Sequence, residues 1–141
     1  MHAFIEIKRV AIEHSGVPAV LDATLAALAP VMAQCTLISY HIPVLRAARE
    51  RAVASVGAIL EKWHHWESDE VKAIHPDYLF CDAADLPRFG NMGQANTKVV
   101  IYEITEPEMA LRLAGRGVGY IETFAIGEML QAFELMRQAP A

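Results

Sequence analysis

The chain has 141 residues, enough for one domain with a hydrophobic core. Its formal net charge of −5 argues against a nucleic-acid binder, which usually carries a basic face. No stretch reaches the roughly 18 uncharged apolar residues that a bilayer span needs; the longest apolar run, Ala23 to Cys35, is interrupted by Pro30. The N-terminus has no basic segment leading into a long apolar core, so no signal peptide is expected. Cys35 and Cys81 each lie in an apolar run, which fits buried, reduced thiols and a cytoplasmic location.

Phe4–Arg9 alternates apolar and charged residues, the period of a strand. Val17–Ala33 has Val17, Val20, Leu21, Leu25, Leu28 and Met32 at helical spacing, and Pro18 suits a first turn. Cys35–Tyr40 is a buried-type strand. A helix opens at Pro43 and runs to about Arg51, with Val44, Leu45 and Ala48 inward and Arg46, Arg49 and Glu50 outward. Val53–Leu60 is a third strand. Ser68 caps a short helix, Asp69–Ile74, whose Asp69 and Glu70 suit the positive end of its dipole. Tyr78–Cys81 is a fourth strand, and Asp85–Ala95 is a loop with one helical turn. Val99–Ile104 is a fifth strand, followed by a helix from Glu106 to Gly115 with Pro107 at its first position. Gly119–Phe124 is a sixth strand and Ile126–Gln138 a final helix. This alternation predicts an α/β fold with parallel pairing and right-handed crossovers. A repeat of roughly 20 to 25 residues favours barrel-type winding over a doubly wound sheet. No composition break divides residues 1–141 into two domains.

Two regions carry a family resemblance. The first strand contains Ile5-Glu6-Ile7-Lys8, an E-x-K pattern. The closing region runs KVVIYEITEPEMALRLAGRGVGYIETF from Lys98 to Phe124. Their order and spacing resemble the last six units of a glycerophosphodiester phosphodiesterase barrel. Glu6 and Lys8 match the E-x-K that ends that family's third strand. Tyr102, Glu103, Ile104 and Thr105 stand where it has W-T-V-N. Gly117, Val118, Ile121 and Thr123 match its G-V-D-G-I-x-T-D, with Phe124 replacing the final Asp. The resemblance implies an incomplete TIM-type barrel of about six parallel βα units. The family's first strand ends in His-Arg-Gly, and its second carries an E-x-D metal motif followed by an insertion with a second catalytic His. By the order of the matched motifs, this chain is expected to start after the positions where those groups stand.

By that resemblance, the expected activity is metal-dependent hydrolysis of a small glycerophosphodiester, with Mg²⁺ or Ca²⁺ as cofactor. Such chemistry needs charge neutralisation at the phosphoryl oxygens and a proton for the leaving oxygen. In a βα barrel these groups come from strand C-terminal ends. Period-two alternation places Glu6 and Lys8 on one strand face, Glu6 as metal ligand and Lys8 on phosphate; an internal Glu–Lys pair is the structural alternative. Glu103 is a second candidate ligand, although alternation lets only one of Tyr102 and Glu103 face the lumen. By analogy that one is Tyr102, as a substrate-packing ring. In the cluster Trp63-His64-His65-Trp66, Lys62 and His65 are candidate phosphate partners and His65 also a catalytic candidate; packed tryptophans with half-exposed histidines is the commoner arrangement. His41, at a strand end, is a candidate proton-transfer group or a histidine bonded to backbone. Asp82 and Asp85 read as turn and cap formers.

Six units leave two edge strands, Phe4–Arg9 and Gly119–Phe124, with apolar interior between them. Open edges invite pairing, so a homodimer or higher symmetric assembly is expected, unless the sheet curls and fills its own core. Two functions compete: a phosphodiester hydrolase, and a non-catalytic phosphate- or partner-binding module on the same scaffold.

Overall fold

The computed structural model describes residues 1–138. Six strands form one sheet in the order β1 to β6, every neighbouring pair parallel. They are β1 (Ala3–Glu6), β2 (Cys35–Ser39), β3 (Val56–Leu60), β4 (Tyr78–Asp82), β5 (Lys98–Tyr102) and β6 (Tyr120–Ile121). The helices are α1 (Arg9–Leu28), α2 (Ile42–Glu50), α3 (Asp69–Ala73), α4 (Pro107–Ala114) and α5 (Ile126–Gln138). The sheet is a curled, incomplete TIM-type barrel, as the alternation of strand and helix implies. No helix among the described residues is long and apolar enough to cross a membrane.

Several boundaries differ from the sequence expectation. β1 stops at Glu6 and the chain turns into α1 at Arg9, because Ile7 is buried and pinned, its N–H donating to the Ile38 carbonyl at 2.9 Å. Helix α1 is broken at Gly16, whose φ of 79° only glycine adopts freely, so the long helical stripe begins near Val17 after all. β6 shrinks to two residues, yet its flanks stay bonded to β5: Gly119 N–H donates to Val99 and Glu122 N–H to Ile101. No α-helix joins β4 to β5; only a 3-10 turn at Ala83–Asp85 does, capped by Asp82, whose Oδ1 accepts from Ala84 N–H at 2.8 Å. Ser68 caps α3 through Val71 N–H at 3.3 Å, the role its position suggests.

β2 and β3 are buried along their whole length, since parallel strands have helices on one face and the lumen on the other. The helix-facing layer is aliphatic, with Leu37, Val44, Leu45, Val56, Ile101 and Leu113 among its most buried members. The lumen holds a separate cluster of Ile38, Ile59, Tyr78, Phe80 and Val100. Phe4 of β1 meets Tyr78 and Phe80 of β4 edge-on, at 4.9 and 5.1 Å between ring centroids. Two strands that share no backbone bonds therefore touch across the lumen, so the sheet partly fills its own core. The gap between the edge strands remains as a concavity of about 480 Å³ bordered by Phe4, Tyr120, Glu6 and Glu122.

At the N-terminal end of the strands, Arg49 is not an outward charge. Its guanidinium donates to the carbonyls of Ile74, Val53, Ala54 and His75 and to the Asp77 carboxylate. Asp77 Oδ2 in turn accepts from Val56 N–H at 3.0 Å. One side chain thus ties α2, the start of β3 and the approach to β4 together. The planar fork of arginine permits this and lysine would not.

Gly57 faces lumen side chains that leave no room for one of its own. A Cβ there would stand 3.0 Å from Ile38 Cγ2 and 3.1 Å from both Phe80 Cε2 and Tyr78 Cβ. Gly57→Val is expected to lower stability by about 1–3 kcal/mol through overpacking. Urea unfolding measures this, and an unchanged midpoint would mean that the lumen is not packed around Gly57.

Candidate active site

The C-terminal ends of the strands form a mouth of about 190 Å³. Its polar lining is Glu6, Tyr40, Tyr102, Glu103 and Glu122, over a floor that includes Ile38 and Phe80. Ser39 organises this rim. Its buried Oγ donates to the Ile7 carbonyl at 2.7 Å and accepts from His41 N–H at 3.0 Å, so the end of β1 and the start of α2 share one hydroxyl. The hydroxyls of Tyr40 and Tyr102 meet at 2.8 Å, bridging β2 and β5 across the mouth. Burial, and then the bond to Tyr40, push the Tyr102 phenol well above its ordinary value. Tyr102 therefore stays protonated near neutrality and acts as a hydrogen-bond partner, not as a base.

Strict alternation would put Tyr102 and Glu103 on opposite faces, yet both line the mouth. The strand has ended, and Glu103 adopts φ 62°, the left-handed region, which swings its side chain back to the side of Tyr102. A non-glycine residue there costs about 1–2 kcal/mol. Strain of that kind is often held at functional sites. Glu122, whose facing the sequence leaves open, also lies in the mouth.

The other candidate residues are distributed around this centre. Lys8 sits on the rim, largely exposed, with Nζ 4.0 Å from Glu6 Oε2. His41 caps α2, its Nδ1 accepting from Val44 N–H at 3.3 Å; the backbone-bonded role is the one it takes, and it leaves Nε2 available. His65 lines a neighbouring cavity of about 250 Å³ that shares Tyr40 with the mouth. His64 and His65 lie in a 3-10 turn, Trp63–Glu67, with rings edge-on at 4.6 Å, Trp63 buried and His64 exposed. Lys62 stands outside both cavities, paired with Asp85, whose hydrogen bond and charge raise the lysine's pKa. Asp85 is thus an ion-pair partner where the sequence suggests a turn former.

Sequence reasoning missed Arg9 and Glu61. They pair at 2.5 Å in the cavity of His65, and the Arg9 guanidinium lies 5.7 Å from the centre of the Tyr40 ring. The signal was available: Arg9 closes the strand expected over Phe4–Arg9, at its C-terminal end. Tyr40 was legible too, two residues after lumen-facing Ile38.

A divalent cation is what the family resemblance implies. Glu6, Glu103 and Glu122 line one mouth, but among the described residues no three His, Cys, Asp or Glu side chains gather as a metal-holding group. Mg²⁺ and Ca²⁺ want six or more oxygens. These residues as arranged do not make that cage.

No protein-family model and no curated protein matches the sequence. Solved structures do. An Oleispira antarctica phosphodiesterase in complex with the product sn-glycerol-3-phosphate superposes with a TM-score of 0.74 at 14% identity, covering 95% of this chain and 56% of that one. A Silicibacter pomeroyi protein assigned as a glycerophosphoryl diester phosphodiesterase gives 0.73 at 15%, covering 99% and 52%. The fold is that of part of a glycerophosphodiester phosphodiesterase barrel. A Parabacteroides distasonis glycerophosphodiester phosphodiesterase agrees, with a TM-score of 0.65 at 12% identity, covering 97% and 59%. The chain thus spans little more than half the length of the phosphodiesterases it resembles.

On the helix-facing side of β4, burial pushes the Cys81 thiol up to about 12, aided by the nearby charges of Asp85 and Asp82. The folded state keeps a proton that the unfolded chain releases above about pH 9. Stability from this group is therefore full below pH 9 and is lost as pH rises towards 12. Alkaline unfolding monitored by circular dichroism is expected to be less steep in Cys81→Ala than in the native chain. Equal slopes would show that the thiol does not titrate as its burial demands.

Proposed function

We propose that the mouth serves phosphoric diester hydrolysis on a small glycerophosphodiester, with this chain supplying the Glu6 side of the site. The observation that carries the reading is the place of Glu6: at the C-terminal end of β1, on the concave face, beside Lys8 and across from Tyr102. Support also comes from the fold likeness to phosphodiesterases, one of them solved with sn-glycerol-3-phosphate. The bonded pair of Tyr40 and Tyr102 has one phenol hydrogen left to offer to an ester oxygen. Lys8 on the rim and Arg9 beyond Tyr40 offer positive charge to a phosphate. His41, with Nδ1 held by the backbone, presents Nε2 as a proton-transfer group. His65 is the second such candidate, from the adjoining cavity. No step is assigned to a cation.

A second reading has its own observation. Glu6, Glu103 and Glu122 share the mouth, but among the described residues no three such side chains come together as a group that could hold a metal ion. On that ground the chain binds a phosphate-containing ligand without turning it over.

The test is hydrolysis of glycerophosphocholine and of bis-p-nitrophenyl phosphate by the purified chain, with Mg²⁺ or Ca²⁺ against EDTA, beside Glu6→Ala. The hydrolase reading expects turnover that falls at least about 100-fold in the variant. A folded protein without turnover under any of these conditions would sink it. Binding of sn-glycerol-3-phosphate, measured by calorimetry in that case, would then favour the second reading.

A further inference from the structure

The outer face beside β6 carries a feature that the phosphodiester site does not use. Helices α4 and α5 do not close on each other. Between them lies a groove of about 230 Å³, lined by small residues of α4, Ala110 and Ala114, and by Ile126, Leu130 and Phe133 of α5. No lining residue is charged. Leu111 is 53% exposed, Ile126 60% and Leu130 58%. On the connection from β6 to α5, next to the groove residues Thr123 and Ile126, the ring of Phe124 is 79% exposed.

A hole and an aromatic knob therefore sit side by side on one face. That is the arrangement a two-fold axis needs: a ring on one copy enters the hole of the other, and the exchange is reciprocal. The amount of surface also fits. With Met136, 38% exposed, these side chains leave on the order of 600 Å² of apolar area, taking about 200 Å² for a whole large side chain. A standard interface covers about 800 Å² per partner, about two-thirds of it apolar in homodimers. The patch meets that need, and it reaches the upper end of what a monomer leaves exposed. Because the groove has no charge, two identical copies would bury no like-charged pair there.

We propose that a second copy of this chain covers the α4–α5 face, forming a two-fold dimer with Phe124 of each copy seated in the other's groove.

Analytical ultracentrifugation of the full chain from low to high micromolar concentration tests this. The expected mass at the upper end is twice 15.5 kDa. Phe124→Glu and Leu130→Glu are each expected to return it to 15.5 kDa with an unchanged circular dichroism spectrum. Both side chains are exposed, so neither change opens the core. Val10→Glu, at an exposed site on α1 away from the groove, is expected to leave the dimer intact. A wild-type chain that stays at 15.5 kDa throughout would overturn the proposal and leave the face to a different partner. A dimer that survives both groove variants, or a larger assembly in place of a dimer, would overturn it as well.

Discussion

Phe4 touches Tyr78 and Phe80 although two strands of the sheet lie between them. A flat parallel sheet could not make that contact. Twist brings β1 towards β4 over the concave face, and Gly57 between them leaves room because it has no side chain. Ile38, Ile59, Phe80 and Val100 thus fill part of the lumen, beside the concavity left between the edge strands. A βα barrel interior is a packed core and not a pore, and six strands achieve part of that by curling. The strand ends converge as a result, and the mouth exists only because they do.

That convergence sorts charge. Glu6, Glu103 and Glu122 come from β1 and from the ends of β5 and β6, and they face one small cavity. Arg9 and His65 stand in the next cavity, with Glu61 already paired to Arg9. Tyr40 belongs to both walls. Its hydroxyl meets Tyr102 on the acidic side, and its ring lies by Arg9 on the other. Three carboxylates in one mouth repel one another and any other anion, and the next cavity sets Arg9 together with Glu61 and Glu70. The two tyrosines stand at the boundary between the cavities.

The two ends of the strands have different tasks. At the N-terminal end Arg49 spends its guanidinium on four carbonyls and one carboxylate, which is structural bonding. At the C-terminal end Ser39 spends its single hydroxyl on Ile7 and His41, which fixes where Glu6 and His41 stand. Division of labour between a stable bottom and a chemical top is the general habit of βα barrels. Departures from regular geometry occur at both ends: Glu103 has its positive φ at the top, in the mouth, while Ala52 and His75 have theirs on the connections that lead into β3 and β4.

The sequence by itself determined the element order, the parallel pairing and the position of Glu6 at a strand end. Period-two runs such as Phe4–Arg9, short apolar runs such as Cys35–Ser39 and capping residues such as Ser68 act through neighbours in the chain, so they are readable in one dimension. It also carried the resemblance to a phosphodiesterase barrel, through the E-x-K of Glu6 and Lys8 and the region from Lys98 to Phe124. It did not give the facing of Glu103, because alternation stops where the strand stops, and a left-handed residue reverses the rule. Nor did it give the bond of Tyr40 to Tyr102, the clamp of Arg49, or the pairing of Lys62 with Asp85, whose partners are separated by 62, up to 28 and 23 residues. Only the curl of the sheet and the packing of helices on it bring such groups together, and no local pattern records a contact made across a lumen.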